Sequence, residues 1–352
     1  MVIEKLEFKN LRNLQDGEIK LNKNIKILYG NNAQGKTNLL EVIYFATIGR
    51  SHRTNNYKEL ISFGKNESFI SVSNIKIHLT RNSKEIYVDG TKIKKLGELF
   101  GNLICVIFSP EDLELVKNGP NLRRKFIDLT LCQLNKIYYY ELAHYYKILN
   151  QRNNLLRKKD IETIFIWDEQ LISHGEKIMR YRELYIKEIN EIAKKIHSNI
   201  TESKENLDII YKPNAINSGS NLSNFKEKLE KNLERDIKAK STSVGIHRDD
   251  ISIYINGLEA KVYGSQGQQR SASLALKLSN VFYIEKEKGI YPIILLDDVF
   301  SELDINRQKY LLKSLKGQVI ITCTGSETLF SEDFFKELNY EMKEIKEGKI
   351  YD

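Results

Sequence analysis

Gly30-Asn31-Asn32-Ala33-Gln34-Gly35-Lys36-Thr37 is the stretch on which the fold turns. It fits the pattern G-x-x-x-x-G-K-[ST] in full. Before it, Ile25–Tyr29 is a short run of strand length; after it, Thr37–Ile48 has a helical pattern. Strand, glycine-rich turn and helix in that order predict a loop whose successive N–H groups point inward at phosphate oxygens. The helix N-terminus adds positive potential there. In such a loop Lys36 neutralises the β and γ oxygens of a nucleotide, and the Thr37 hydroxyl ligates Mg²⁺. A chance match in a chain of this length is on the order of one per cent from average residue usage.

Downstream, Ile293-Ile294-Leu295-Leu296-Asp297-Asp298 is an apolar run ending in two acids. Alone it suits any strand that ends in a solvated turn. With the glycine loop it predicts a buried parallel strand that delivers Asp297 to Mg²⁺ at its C-terminal edge. Asp298 then faces the attacking water as general base. Between loop and acids lie Ser265-Gln266-Gly267-Gln268, followed by the helical run Ser271–Lys286. By itself this is an ordinary cap or an anion site in equal measure. With Ser301-Glu302-Leu303-Asp304 after the acids, the order of the four elements resembles that of ABC-type ATPases. That resemblance implies that Ser265–Gln268 act in trans, closing over a γ-phosphate held by a second subunit.

The remainder of the chain divides by composition. Val2–Phe8, Phe69–Leu79, Glu85–Val88, Leu103–Phe108, Ile251–Ile255 and Val319–Thr322 are further runs of strand length, and Ile305–Lys313 is helical. Between Pro120 and Pro213 the only glycine is Gly175. Ile178, Tyr181, Tyr185, Ile189, Ile192, Ile196 and Ile200 follow one another at spacings of three and four, one apolar stripe on a long helix. Leu142, Tyr145, Tyr146 and Leu149 give a shorter one, so an antiparallel helical pair is expected, turning near Lys158–Phe165. Asn214–Asn224 reads as a Ser/Asn/Gly loop. The expected fold is α/β, an ABC-type P-loop ATPase head with an inserted antiparallel helical arm: head 1–108, arm 109–235, head 236–352.

The 352 residues carry 55 Lys+Arg against 47 Asp+Glu, a balance of +8 that suggests a polyanionic partner. Residues 121–160 hold nine basic and three acidic side chains, so +6 of that balance sits in the expected arm. Arg123, Arg124, Lys125, Arg152 and Arg157 are the candidate DNA contacts, with tyrosines interleaved; a solvated helical face is the plainer reading. Three widely spaced cysteines exclude a disulfide framework and common zinc clusters, and suit a reducing cytoplasm. No apolar run approaches membrane-spanning length, and the charged N-terminus does not read as a signal peptide.

Several segments together make a specific resemblance. They are Phe8–Asn13, the loop with Asn38–Glu41, Gly49–Arg53, Phe108–Leu113, Gly119-Pro120, Arg123–Phe126, Gln151–Asn153 and Gly245–Asp250. With the signature and the acid pair, the chain resembles the RecF family of bacterial recombination mediators, relatives of SMC heads, over nearly its whole length. The resemblance implies weak, DNA-stimulated ATP hydrolysis and an ATP-dependent homodimer on single-stranded or duplex DNA, gap junctions included. It also implies RecO- and RecR-type partners, and roles in gap repair and SOS induction. Ile246 replaces a proline common in the family, and the switch histidine of transporter ATPases is absent after Val319–Thr322, where Thr324 is the nearest polar candidate. A transporter ATPase subunit would need a membrane partner and that histidine. A small-molecule P-loop kinase would need an acceptor pocket and no signature.

Overall fold

The computed structural model describes residues 1–21, 24–215, 223–325 and 340–351. The chain opens with strands β1 (Lys5–Lys9), β2 (Gly17–Lys20) and β3 (Ile25–Tyr29), then helix α1 (Lys36–Ile48). Strands β4 (Glu67–Val72), β5 (Ile75–Thr80), β6 (Lys84–Val88), β7 (Thr91–Lys92) and β8 (Cys105–Phe108) follow. Helices α2 (Glu114–Lys117), α3 (Pro120–Leu134), α4 (Lys136–Lys158) and α5 (Ile164–Ile200) fill the middle. After them come β9 (Leu207–Lys212), α6 (Ser223–Lys231), α7 (Leu233–Ala239), β10 (Asp250–Ile255), β11 (Leu258–Glu259) and α8 (Ala260–Tyr263). The last elements are α9 (Gln266–Lys288), β12 (Ile293–Asp297), α10 (Ile305–Ser314), β13 (Val319–Cys323), β14 (Tyr340–Lys346) and β15 (Lys349–Tyr351).

Two compact units emerge, Met1–Asp112 with Asn280–Asp352, and Leu113–Ser279. The first holds two sheets. One, in the order β2-β1-β4-β5-β6-β7, is antiparallel throughout and alternates buried with exposed residues, as a sheet wetted on one face does. The other runs β15-β14-β3-β13-β12-β8, parallel except for the terminal hairpin. All five residues of β12 and of β13 are buried, which explains their continuous apolar runs. Helix α1 touches strands of both sheets and is buried on nearly every side, so it lacks an amphipathic stripe. The run Phe69–Leu79, expected as one strand, is a hairpin: β4 and β5 pair antiparallel from Val72↔Ile75 outward. Ser73, at φ 52°, makes the turn. The apolar alternation changes phase there, from Ile70 and Val72 to Ile75, Ile77 and Leu79, with the exposed pair Ser73-Asn74 between.

The second unit contains the expected helical pair, α4 against α5, with the turn inside the anticipated window. Gly175 sits where a Cβ would come within 2.8 Å of Phe225 and 3.3 Å of Tyr145, so its small size permits the packing. The stripe on α5 buries Ile178, Tyr185, Ile189 and Ile196, together with Arg182, which is 0% exposed. Arg182 Nη2 donates to both oxygens of Asp128 (2.9 and 3.0 Å), and Nη1 to Asp249 Oδ2 (3.0 Å) and Ile246 O (2.8 Å). A buried charge so fully paired is costly to break from one side. This unit also holds a three-stranded sheet, β11-β10-β9, that the sequence reading lacked. Strand β10, expected with the head, pairs along its full length with β9. Along the chain, the second break between the two compact units falls within α9, between Ser279 and Asn280. Of the loop Asn214–Asn224, residues 216–222 lie outside the described residues.

Candidate functional site

The glycine loop joins β3 to α1. Gly30 has φ 146°, and a Cβ there would lie 2.2 Å from Ile345 O, so the position excludes a side chain on steric grounds and on backbone grounds. Gly35, at φ 109°, is the residue before α1. Lys36 Nζ turns back into the loop and donates to Gly30 O (2.5 Å) and Asn31 O (2.8 Å). Asn31, Asn32 and Ala33 are exposed at the loop's crest, and Gln34 is half-buried.

Thr37 Oγ1 donates to Asp297 Oδ1 at 2.8 Å, joining the first turn of α1 to the C-terminal end of β12. The same carboxylate oxygen accepts from Thr322 Oγ1 at 2.7 Å. Register explains this: in the parallel pair β12–β13, Asp297 stands beside Thr322. Thr322 Oγ1 also accepts the N–H of Asp298 at 3.0 Å. Thr322, buried in β13, is thus a polar group beside the acids; Thr324, the candidate for the switch position, follows the end of that strand. Asp298 takes φ 52°, a left-handed conformation that Asp tolerates better than most residues and that recurs at functional sites. Among the described residues no three His, Cys, Asp or Glu side chains form a metal cluster. One carboxylate and one hydroxyl suit Mg²⁺, which takes its other ligands from water and phosphates.

Behind the loop lies a network that sequence reasoning did not find. Glu41, one turn after Thr37 and fully buried, takes two hydrogen bonds from Arg12, at 3.0 Å from Nε and 2.7 Å from Nη2. Ser51 Oγ donates to the same carboxylate, and Arg53 Nη1 lies 3.6 Å away. Burial pushes Glu41 up, but the Arg12 and Ser51 hydrogen bonds and the Arg12 and Arg53 charges outweigh it and hold the group below the ordinary glutamate value. Arg53 Nη1 donates to Asn38 Oδ1 (2.8 Å), Asn38 Nδ2 to Asn13 Oδ1 (2.7 Å), and Asn13 Nδ2 to Ala33 O (2.9 Å). Three segments flagged only by resemblance, Phe8–Asn13, Asn38–Glu41 and Gly49–Arg53, are therefore one hydrogen-bonded support.

In the second unit, Ser265 and Gln268 form a reciprocal cap on α9. Ser265 N–H donates to Gln268 Oε1 (2.9 Å) and Gln268 N–H to Ser265 Oγ (3.2 Å). Gln268 Nε2 also donates to Glu205 Oε1 at 2.9 Å. Ser265 and Gln266 are exposed; Gly267 and Gln268 are half-buried.

The candidate DNA contacts separate sharply. Arg152 is 0% exposed and donates to Asp168 (2.5 Å), Asp236 (2.8 Å) and Thr242 (2.9 Å). Arg123, 5% exposed, forms a two-pronged pair with Asp250 at 2.6 and 2.9 Å. Both guanidinium groups are spent inside the fold, which corrects their assignment as DNA contacts. Arg124 is half-buried and donates to Asp249 O at 2.5 Å; burial lowers its pKa. Lys125 and Arg157 are exposed. So is Arg248, which the sequence reading passed over, although it stands between two residues anchored within the unit. Its neighbour His247 bonds the Tyr145 hydroxyl (2.9 Å) and Thr242 O (3.0 Å), while Asp249 holds Arg182.

Residues 2–347 match the family described as RecF/RecN/SMC N terminal domain. A DNA replication and repair protein RecF from Clostridium tetani (strain Massachusetts / E88) is 47% identical over 346 residues, 94% of each chain. Its counterpart from Clostridium perfringens (strain SM101 / Type A) is 43% identical over 99% of each. A solved structure of the recombination mediator protein RecF-ATP in the RecFOR pathway shares a TM-score of 0.89 and 37% identity, covering 99% of this chain and 96% of that one. An Smc head bound to the C-winged helix domain of ScpA gives 0.57 at 15% identity, over 100% of this chain and 96% of that one, which speaks to the fold alone. The chain belongs to the RecF family of ABC-type ATPases, DNA replication and repair proteins within the wider RecF/RecN/SMC group.

Proposed function

We propose that this chain is an ATP-dependent, DNA-binding recombination mediator that closes as a homodimer on DNA and is released by slow hydrolysis. Its kinship with RecF proteins supports the mediator role, and the RecFOR pathway of a related structure supports partners of the RecO and RecR type. Gap repair, SOS induction and a cytoplasmic location follow from the same kinship; among the described residues no helix is long and apolar enough to cross a membrane.

The observation that carries the reading is the 2.8 Å approach of Thr37 Oγ1 to Asp297 Oδ1 beneath a glycine loop. Gly30–Thr37 cradle the triphosphate, and Lys36 exchanges its loop carbonyls for β and γ oxygens, a stronger charge-assisted pairing. Thr37 and Asp297 supply hard oxygen donors for Mg²⁺, which contributes charge neutralisation at the phosphates. Asp298 orients the attacking water and takes its proton. Ser265–Gln268 of the second copy complete the site: the N-terminus of α9 presents N–H groups and positive potential to a γ-phosphate. DNA meets the exposed cations Lys125, Arg157 and Arg248, and the half-buried Arg124, through phosphates and without reading bases. The test is sedimentation with ATP and with ADP, alongside turnover with and without gapped duplex. ATP alone should give a dimer, and DNA should raise turnover. A monomer under every nucleotide would refute the reading.

A further inference from the structure

The phosphate loop is gripped from outside by the chain's C-terminal hairpin. Strands β14 and β15 pair Lys346 with Lys349 across a two-residue turn, Glu347-Gly348, at φ 50° and 75°. Two left-handed residues make the mirror-image turn that suits a twisted hairpin. Strand β14 runs parallel to β3 from Tyr340↔Ile25 to Glu344↔Tyr29, so the hairpin is registered against the strand that feeds the loop. Lys26, fully buried on β3, pairs with Glu341 and strengthens that register.

Beyond the register, the contacts reach the loop itself. Gly30 lies so close to Ile345 that a Cβ would meet its carbonyl oxygen. Gly348 N–H donates to Gln34 O at 3.2 Å, and Glu347 N–H donates to Gln34 Oε1. From the other flank, Gln15 N–H donates to Gly348 O (2.9 Å) and Gln15 Nε2 to Glu347 O (3.2 Å). Asn13 Nδ2 holds Ala33 O at 2.9 Å.

These bonds fix the orientation of two peptide planes. In a trans peptide the C=O of one residue and the N–H of the next point in opposite directions. With Ala33 O tied to Asn13, the N–H of Gln34 is aimed the other way; with Gln34 O tied to Gly348, so is the N–H of Gly35. An anion site made of backbone N–H groups works by having them aligned before the anion arrives.

We infer that Gly348, with its turn partner Glu347, and Asn13 are positioning residues that preset the phosphate loop of this ATPase for its nucleotide. The inference rests on Gly30–Thr37 being the nucleotide loop. Gly348 is the pivot, because a Cβ there would stand 2.2 Å from Asn13 O and 3.1 Å from Leu14 Cα. The structure supplies a matched control. The turn Asp89-Gly90 between β6 and β7 has φ 50° and 77°, yet a Cβ on Gly90 meets nothing within 4 Å.

Gly348→Ala and Gly90→Ala therefore impose the same backbone strain, and only the first displaces the turn from the loop. Both are compared with wild type for ATP and ADP affinity, for KM and kcat of hydrolysis, and for melting temperature. Gly348→Ala should weaken ATP and ADP binding about tenfold, since small misplacements of a positioned group cost that much or more. KM should rise in step, with kcat at saturating ATP changed less than about twofold, because Asp298 and the partner copy's signature are untouched. Gly90→Ala should bind as wild type. Asn13, being exposed, can be changed without threatening the fold. Asn13→Ala should weaken ATP about threefold or more, and Asn13→Asp at least as much, because a carboxylate cannot donate to Ala33 O. Lys36→Ala separates the two layers of the argument. ATP affinity retained in Lys36→Ala would defeat the nucleotide-loop reading and the inference with it. Affinity lost in Lys36→Ala but unchanged in both Gly348→Ala and Asn13→Ala would overturn the positioning role alone. A fall in kcat at constant KM in Gly348→Ala would likewise overturn it, as the mark of a smaller folded fraction.

Discussion

Arg152→Ala is expected to destabilise the Leu113–Ser279 unit without altering DNA affinity. The guanidinium is wholly buried, 2.5 Å from Asp168 and 2.8 Å from Asp236, which is itself 0% exposed. Truncation leaves Asp236 with the N–H and hydroxyl of Ser243, at 2.9 and 2.6 Å, but with no counter-charge. Asp168 suffers less: burial already raises its pKa, the Arg152 bond opposing, so it can take up a proton once the arginine is gone. Removing one partner of a buried pair costs about 3–5 kcal/mol. At roughly 2–4 °C per kcal/mol for a unit of this size, the melting temperature of this unit should fall by about 10 °C. Differential scanning calorimetry reads the fall, and fluorescence anisotropy on gapped duplex, run well below the transition, reads affinity, which should stay within about twofold. A melting temperature unchanged within the error, joined to a clear loss of DNA binding, would refute the reasoning and return Arg152 to the DNA surface.

Replacing Arg124, Lys125 and Arg157 by glutamate should weaken duplex binding for all sequences and reduce its salt dependence by about 0.9 in log–log slope per lost phosphate contact; an unaltered salt series moves the surface elsewhere. Asp298→Asn should bind ATP and dimerise yet lose turnover, because an amide cannot take the water's proton; wild-type turnover would exclude the role. His247 gives a pH signature: burial, opposed by the ring N–H bond that His247 donates to Thr242 O, holds its pKa at about 4, below an unfolded value of 6.5. Its neutral form is favoured in the fold, so stability is full above pH 6.5 and declines as pH falls towards 4, by at most about 3 kcal/mol. Arg124 and Arg248 add to the effect, Asp236 opposes it, and Asp249, whose pKa burial raises against Arg182, gains stability on protonation. His247→Gln should flatten the decline between pH 6.5 and 4, read as urea midpoints; the same slope in the variant would assign it to another group.

What the sequence made legible follows from period and local order. The glycine loop, its strand and its helix are contiguous, so Gly30–Thr37 could be read directly. The apolar run into Asp297 marks a strand buried on both faces, and the stripe on α5 marks a helix against a core. Contacts between distant segments were not readable. Nothing local tells that Thr322 stands beside Asp297, since that is a matter of strand register. The basic stretch 121–160 misled for a related reason: charge counts do not distinguish Arg152, whose acids come from residues 168 and 236, from Arg157 in solvent. The Phe8–Asn13, Asn38–Glu41 and Gly49–Arg53 segments were visible as resemblance, but their common purpose appears only when Arg12 is seen on Glu41.

The central claim is that one active site draws on two copies of the chain, and mixing two inactive variants tests it most directly. Lys36→Ala removes the loop lysine. Ser265→Arg blocks the signature and removes the serine cap of α9, a loss of about 1 kcal/mol that the helix can bear. Each variant alone has every site damaged. A mixed dimer combines the intact loop of one chain with the intact signature of the other at one site, while its second site carries both lesions. Equal random mixing makes half the dimers mixed, so under two-fold symmetry and independent sites roughly a quarter of wild-type turnover should return. ATP-driven dimerisation of the mixture is measured in parallel. Recovery of turnover with dimer formation is the predicted result; a mixture that dimerises with ATP and yet hydrolyses none would contradict the shared site.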